Sequence, residues 1–304
     1  MRARVVVTGG TGFVGRALVE RLVERGDDVL VLGRRAGDPR VPRGATSAAW
    51  SPTSDGDWGD ALDGASGVVH LAGDPVLGGR WTPEKKRVIV ESRVDSTRAI
   101  VAAMRRADAR PKVLVCASAV GFYGDRSPTD EVDEQEPAGD DFLARVCRAW
   151  EEEAVRAEAL GVRVVRARIG VVLGPGGGAL AQMLPAFRAF VGGPVGSGAQ
   201  VVPWVHLADA VGLVLLALDD AALSGPLNVT APTPVPMREL ASTLGEVLGR
   251  PSALRVPGFA VRLALGEAAG PVLTGQRAVP RRALAAGYRF RFDELRAAIA
   301  DAVR

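Results

Sequence analysis

The chain has 304 residues, 47% of them hydrophobic, and a formal net charge of +3 with acidic and basic residues interspersed. That is enough for one large domain or two fused lobes around a sizeable core, and it argues against a nucleic-acid binder. The longest clear apolar run, Ala210–Leu218, is interrupted by Gly212 and followed by Asp219 and Asp220, so no membrane span is expected.

The N-terminus runs directly into an apolar stretch that ends in a glycine-rich turn. No signal peptide fits there, and a cytoplasmic chain is expected. Cys116 and Cys147 are the two cysteines, and each sits in an apolar or helical pattern that suits a buried reduced thiol. The two histidines, His70 and His206, are far apart, and no Cys/His cluster has metal-ligand spacing, so no metal site is expected. Lysine is confined to Lys85, Lys86 and Lys112.

In chain order, Arg4–Thr8 reads as a strand ending in glycines. Phe13–Arg25 has helical spacing, with Val14, Leu18, Leu22 and Val23 on one side. Asp28–Leu32, Ser66–Leu71, Lys112–Ala117 and Val162–Ile169 read as further strands. Pro83–Arg106 reads as a long helix opened by Thr82-Pro83, and Phe142–Ala159 as another. Strands alternating with helices predict an α/β fold with a doubly wound parallel sheet. After Gly174 glycine and proline become dense, and Leu207–Leu218 and Met237–Leu248 read as helices. The organisation expected is a dinucleotide-binding Rossmann domain over residues 1–174 and a smaller C-terminal substrate-side lobe over 175–304, interleaved with the last sheet strands.

Thr8-Gly9-Gly10-Thr11-Gly12-Phe13-Val14-Gly15 lies between the first strand and the first helix. Glycines spaced this way allow a tight turn, a close approach to a pyrophosphate and close helix–strand packing, and the helix N-terminus offers free N–H groups to phosphate. The second strand runs into Gly33-Arg34-Arg35, with no carboxylate to hold a ribose 2′-hydroxyl. Guanidinium groups suit a 2′-phosphate, so the expected cofactor is NADP(H). His70-Leu71-Ala72-Gly73 ends a strand at the sheet's carboxyl edge. His70 reads there as a packed strand-end residue.

At these residues the chain resembles the extended short-chain dehydrogenases/reductases. Arg80-Trp81, Glu91-Ser92-Arg93, Ala117-Ser118-Ala119-Val120-Gly121-Phe122-Tyr123-Gly124, and Asp141-Phe142-Leu143-Ala144 leading to Trp150-Glu151 are similar to an atypical epimerase-like subgroup. So are Arg168–Gly174, Gly192–Gly198, Pro203–His206, and Gly275-Gln276-Arg277 with Pro280. That sugar-nucleotide-epimerase-like family carries a C-terminal segment of unassigned function. The resemblance implies an extended Rossmann fold and NADP(H) contacts at Gly9, Thr11, Gly12, Phe13, Val14, Gly15, Gly33, Arg34, Arg35, Leu71, Ala72, Gly73, Arg93 and Glu151.

Typical members of the superfamily use a serine and a tyrosine four residues before a lysine. Here Ser127 and Phe292 stand four residues after Tyr123 and Tyr288, and no lysine follows Lys112. Counting back from Glu151, the tyrosine and lysine positions fall at about Leu143 and Cys147. What remains is Ser118, suited to bind a carbonyl, and Tyr123, which reads equally as a proton donor or as a packed loop aromatic. Glu131, Asp133, Glu134 and Glu136 read as a solvated acidic loop. His206 reads as a backbone-bonded strand-turn histidine before an acid–base group, and Gly192–Gly198 as a flexible loop able to close over substrate.

Two functions stay open on these residues. One is an NADP(H)-dependent oxidoreductase or epimerase acting on a small molecule with a nonstandard proton donor. The other is a non-catalytic NADP(H)-binding redox-sensing or regulatory protein. A sugar-nucleotide binder on the same scaffold is a third, weakened by the lack of a concentrated basic patch. A monomer or homodimer is expected.

Overall fold

The computed structural model describes residues 3–52 and 57–304; Met1 and Arg2, at the N-terminus read above, lie outside them. The first part of the chain forms β1 (Arg4–Thr8), α1 (Phe13–Glu24), β2 (Asp28–Gly33), β3 (Thr46–Ala49), β4 (Gly67–His70), α2 (Pro83–Arg106), β5 (Val113–Ala119), β6 (Glu131–Val132), α3 (Phe142–Val155) and β7 (Arg163–Ile169). There follow β8 (Val171–Leu173), α4 (Gly178–Arg188), β9 (Val201–Val202), β10 (Trp204–His206), α5 (Leu207–Asp219), β11 (Gly225–Val229), β12 (Val235–Pro236) and α6 (Met237–Leu248). The chain closes with α7 (Gly258–Leu265), α8 (Gly270–Leu273), β13 (Arg277–Ala278), α9 (Arg281–Ala285) and α10 (Leu295–Ala302).

Seven strands pair in parallel in the order β11-β7-β5-β4-β1-β2-β3. The chain winds outward from β1 through β2 and β3, then crosses to β4 on the other side of β1. This is the doubly wound Rossmann arrangement expected from the alternating pattern, and its ligand crevice lies outside the carboxyl ends of the strands at that switch point. Alternation along β1 divides the core. Val5 and Val7 join Leu18 and Leu22 of α1 and Val211 and Val214 of α5 on one face. Val6 joins Ile100 and Met104 of α2 and Trp150 of α3 on the other. Each such fully buried aliphatic side chain stabilises the fold by about 1.5–3 kcal/mol. A further core, with Leu173, Phe187, Trp204, Leu240, Leu244 and Ile299, holds α4, β10, α6 and α10 together.

The ends of both long helices follow local chemistry. Thr82 caps α2, its Oγ1 accepting from the Lys85 N–H at 3.1 Å, with Pro83 in the first turn. Asp141 caps α3 in the same way through the Ala144 N–H at 2.8 Å. The second helix stops at Val155, earlier than its pattern predicts, and Glu158–Leu160 forms a separate 3-10 turn. Several elements went unread, three of them substantial. β3 is a short exposed edge with small residues, β11 starts on Gly225-Pro226, and α4 sits in the glycine-rich stretch with Pro185 inside it. Each carries a signal that sequence reasoning assigns to turns.

The tail is tied down at one buried carboxylate. Asp209, in the first turn of α5, accepts hydrogen bonds from the backbone N–H groups of Arg291 at 2.7 Å and Phe292 at 2.9 Å and from the Tyr288 hydroxyl at 3.2 Å. Asp209→Ala strands these donors. It should lower unfolding stability by about 1.5–3 kcal/mol, read as a fall in the urea midpoint at unchanged slope, with Asp209→Asn falling less.

Candidate functional site

The glycine loop divides its work among three positions. Gly9 has φ +71°, and a Cβ there would lie 2.7 Å from the Leu71 carbonyl carbon and 2.8 Å from the Ala72 nitrogen. Gly9 therefore lets the ends of β1 and β4 touch. A Cβ on Gly15 would collide with the Gly9 carbonyl, so Gly15 lets α1 pack against the turn. Gly12 is exposed, and a Cβ there meets only the Gly9 oxygen, at 3.2 Å. It caps α1 in extended conformation with no side-chain hydrogen bond, which leaves the first-turn N–H groups of the helix facing outward for an anion. Thr11 is partly exposed beside it and Val14 packs on the sheet core. The Phe13 ring lies against Gly174, Gly177 and Gly178, where a Cβ on Gly174 would come within 3.2 Å and one on Gly178 within 2.7 Å.

Arg34 and Arg35 stand exposed just past β2, after the half-buried Gly33, and neither guanidinium makes a hydrogen bond or ion pair among the described residues. Across the switch point Leu71, Ala72 and Gly73 leave β4. Arg93 of α2 lays its guanidinium against Gly73, where a Cβ would be 3.2 Å from the Arg93 Cζ, and 5.3 Å over the Trp150 ring. Its hydrogen bonds go to the Ile89 carbonyl at 3.2 Å and the Ser92 Oγ at 3.3 Å, it forms no ion pair among the described residues, and burial lowers its pKa from the usual arginine range against the opposing Cys147 and Asp74 charges. The glycine loop, Arg34, Leu71–Gly73 and Arg93 thus gather at the carboxyl ends of β1, β2 and β4.

Ser118 and Tyr123 lie in one buried polar network. Ser118 Oγ, buried, donates to Glu151 Oε1 at 2.7 Å. Arg168 grips the same carboxylate in a fork, Nε to Oε1 at 2.8 Å and Nη2 to Oε2 at 2.9 Å, and its Nη1 donates to the Tyr123 hydroxyl at 3.0 Å. Tyr123 is wholly buried and donates its proton to Asn228 Oδ1 at 2.7 Å; burial pushes its phenol up to about 12. Both hydroxyls are committed inside a closed polar network. Ser118 thus meets Glu151, and Tyr123 meets Arg168 and Asn228, at the carboxyl end of β5. The Glu151 carboxylate holds both Arg168 and Ser118.

Glu134 also departs from expectation. It is buried, and its carboxylate accepts from the backbone N–H of Asn228 at 3.0 Å and of Arg282 at 3.3 Å; burial raises its pKa. Pairing of β6 with β13 folds this part of the acidic loop under the tail. Leu143 and Cys147 sit one turn apart in α3, and burial, then the Glu151 charge, pushes the Cys147 thiol up to about 12. Neither offers a proton near neutral pH. Asn228 and the Arg168 fork had no legible signal, because their partners lie 105 and 17 residues away in the chain.

The family model for the NAD dependent epimerase/dehydratase family matches residues 5–229, and a domain of unknown function, DUF1731, matches residues 256–302. The chain belongs to the NAD dependent epimerase/dehydratase family. The epimerase family protein SDR39U1 homolog of Arabidopsis thaliana, chloroplastic, is 44% identical over 97% of this chain and 85% of its own length. The human epimerase family protein SDR39U1 is 38% identical over 99% of both chains. Its isoform 2, crystallised with NADPH, superposes with a TM-score of 0.88 at 36% identity, covering 98% of each chain. A nucleoside-diphosphate sugar epimerase from Corynebacterium glutamicum gives a TM-score of 0.77 at 32% identity, covering all of this chain and 58% of that one. The expected likeness to epimerase-like extended dehydrogenases is borne out. Among the described residues no helix is long and apolar enough to cross a membrane, and no group of three or more acidic, histidine or cysteine side chains could hold a metal.

The two histidines of this epimerase-family chain are structural. His206 caps α5, its Nδ1 accepting from the Ala208 N–H at 3.1 Å, with Nε2 3.2 Å from Asp301 and its ring against Phe292. His70 is fully buried between Thr8 Oγ1 at 2.6 Å and Ser96 Oγ at 3.0 Å. Ser96 spends its own proton on the Ser92 carbonyl at 2.8 Å, so Nε2 of the ring donates and Nδ1 accepts from Thr8. Burial pushes His70 down to about 3, against about 6.5 for a free histidine. Its contribution to stability is complete above pH ~6.5 and is lost as pH falls toward the folded value. Urea unfolding midpoints should therefore decline between about pH 6.5 and 4 in wild type, and decline less steeply in His70→Asn.

Proposed function

We propose that this chain binds NADP(H) at the β1–α1 glycine loop and serves as a redox-responsive binding protein rather than as a sugar-nucleotide epimerase. Pyrophosphate meets the N-terminus of α1, the 2′-phosphate meets Arg34 with Arg35, and the nicotinamide end meets Gly73 and Arg93. The NADPH in the human relative's crystal and the two unpaired guanidiniums past β2 support the cofactor. The observation that carries the non-catalytic reading is the closed Ser118–Glu151–Arg168–Tyr123 network, with Leu143 and Cys147 at the usual tyrosine and lysine positions. Positioned acid catalysis is typically worth about 10²–10⁴-fold, and none of these side chains supplies it.

A slow reductase is the second reading. It needs another donor, and the structure brings Lys85 into an ion pair with Asp74, one residue beyond Gly73. The family name and this ammonium favour it. In that case Lys85→Met removes turnover while NADPH binding persists.

Fluorescence titration should show NADPH binding at least about tenfold tighter than NADH, since one or two charged hydrogen bonds to the 2′-phosphate contribute about 1.5–3 kcal/mol each. Arg34→Asp should narrow or reverse that preference. Gly12→Val should fold normally by circular dichroism and lose the cofactor, because its side chain enters the space of the pyrophosphate and meets little of the protein. Equal affinity for the two cofactors would remove the arginine assignment.

Turnover is the separate test. Stopped-flow oxidation of bound NADPH against a panel of aldehydes, ketones and sugar nucleotides should stay at the Gly12→Val background. Saturable oxidation by wild type that Lys85→Met abolishes would overturn the non-catalytic reading in favour of the reductase.

A further inference from the structure

Among the described residues, six of the eight large exposed apolar side chains fall in residues 190–191 and 254–263; Leu77 and Leu284 lie elsewhere. Phe259 and Leu263, one turn apart on α7, are each 75% exposed. Phe190, Val191 and Leu254 are each more than half exposed. The two segments that carry them run side by side. Leu254 N–H donates to the Gly192 carbonyl, Val256 N–H donates to the Pro194 carbonyl at 3.0 Å, and Val195 bridges Val256 in parallel. Gly193 has no room for a Cβ against the Leu254 backbone, so the contact is close. Phe190 is held at φ +62°, the one positive value outside glycine among the described residues, and the Arg250 guanidinium lies 4.4 Å over its ring.

Within the segments that form this patch the charge has one sign, with Glu246 and Glu267 just outside them and each paired to a cation. Arg188, Arg250, Arg255 and Arg262 are all exposed, and none forms an ion pair among the described residues. No aspartate or glutamate occurs in residues 186–208 or 247–266. By contrast Arg16, Arg21, Arg87, Arg98 and Arg148 of α1, α2 and α3 each pair with a carboxylate three or four residues away. Unpaired guanidiniums set among protruding phenylalanine and leucine side chains suit an anionic partner with an apolar interior. Self-association through this patch would set like charges against each other.

We propose that the face formed by residues 188–196, residues 250–256 and α7 docks peripherally on an anionic lipid surface. Phe259 and Leu263 enter the boundary between headgroups and acyl chains, and the four arginines meet lipid phosphates. Nothing spans the bilayer. The inference does not depend on the cofactor reading, since the patch shares no residue with the glycine loop.

The test is co-sedimentation of the full chain with vesicles of phosphatidylcholine alone and of phosphatidylcholine mixed with phosphatidylglycerol. Binding to the anionic vesicles should be at least about tenfold tighter, and should weaken as salt is raised. Phe259→Glu with Leu263→Glu should abolish it, and Arg255→Gln with Arg262→Gln should reduce it. Circular dichroism and NADPH titration of the same variants separate loss of docking from loss of fold. Equal partitioning into both vesicle types, no sedimentation with either, or unaltered binding by the Phe259→Glu/Leu263→Glu protein would overturn the proposal. So would a dimer in sedimentation equilibrium that this double variant dissolves.

Discussion

Arg168 carries a full positive charge on a side chain that is 3% exposed, and the carboxyl end of the sheet is arranged to meet it. Glu151 answers with both oxygens, Tyr123 with its hydroxyl and Glu134 with its carbonyl. A buried pair of this kind contributes less to stability than its geometry suggests, because desolvating two ions offsets most of their attraction. Its value lies in what it excludes. Any arrangement that separates β7 from α3 leaves an uncompensated charge in the interior. Asn228 extends the same constraint, donating to the Val279 carbonyl at 2.9 Å and so binding β11 to the segment behind β13.

That constraint also shapes the chemistry. The Ser118 hydroxyl bonds to one side of that ion pair and the Tyr123 hydroxyl to the other. The dinucleotide end of the crevice is built quite differently, from backbone and glycine, with its cationic side chains left unpaired.

The parts of the site made of local geometry were legible. Glycines at 9, 12 and 15 announce a turn between strand and helix, and Gly33-Arg34-Arg35 announces positive charge at a strand end. The sheet followed from alternation, because β1, β4, β5 and β7 are buried runs long enough to show it. The polar network was not legible, because it joins residues 33, 45 and 105 positions apart, and nothing near Ser118 or Tyr123 announces such partners. Glu134 was misread for a related reason. It stands among Glu131, Asp133 and Glu136, and only the pairing of β6 with a strand near the end of the chain takes it out of water.

Phe13 has one more consequence. Its ring, at the start of the phosphate-facing helix, rests in a seat made by Gly174, Gly177 and Gly178, and the sheet that supports that helix takes its outermost strand, β11, from still later in the chain. The glycine cluster is therefore a fitted surface and not a hinge between separable modules. A fragment ending at Gly174 would lose that seat, the β11 edge and the α5 cover over Leu18 and Leu22 together. The chain is best handled as one indivisible unit, in expression as in any future dissection by limited proteolysis.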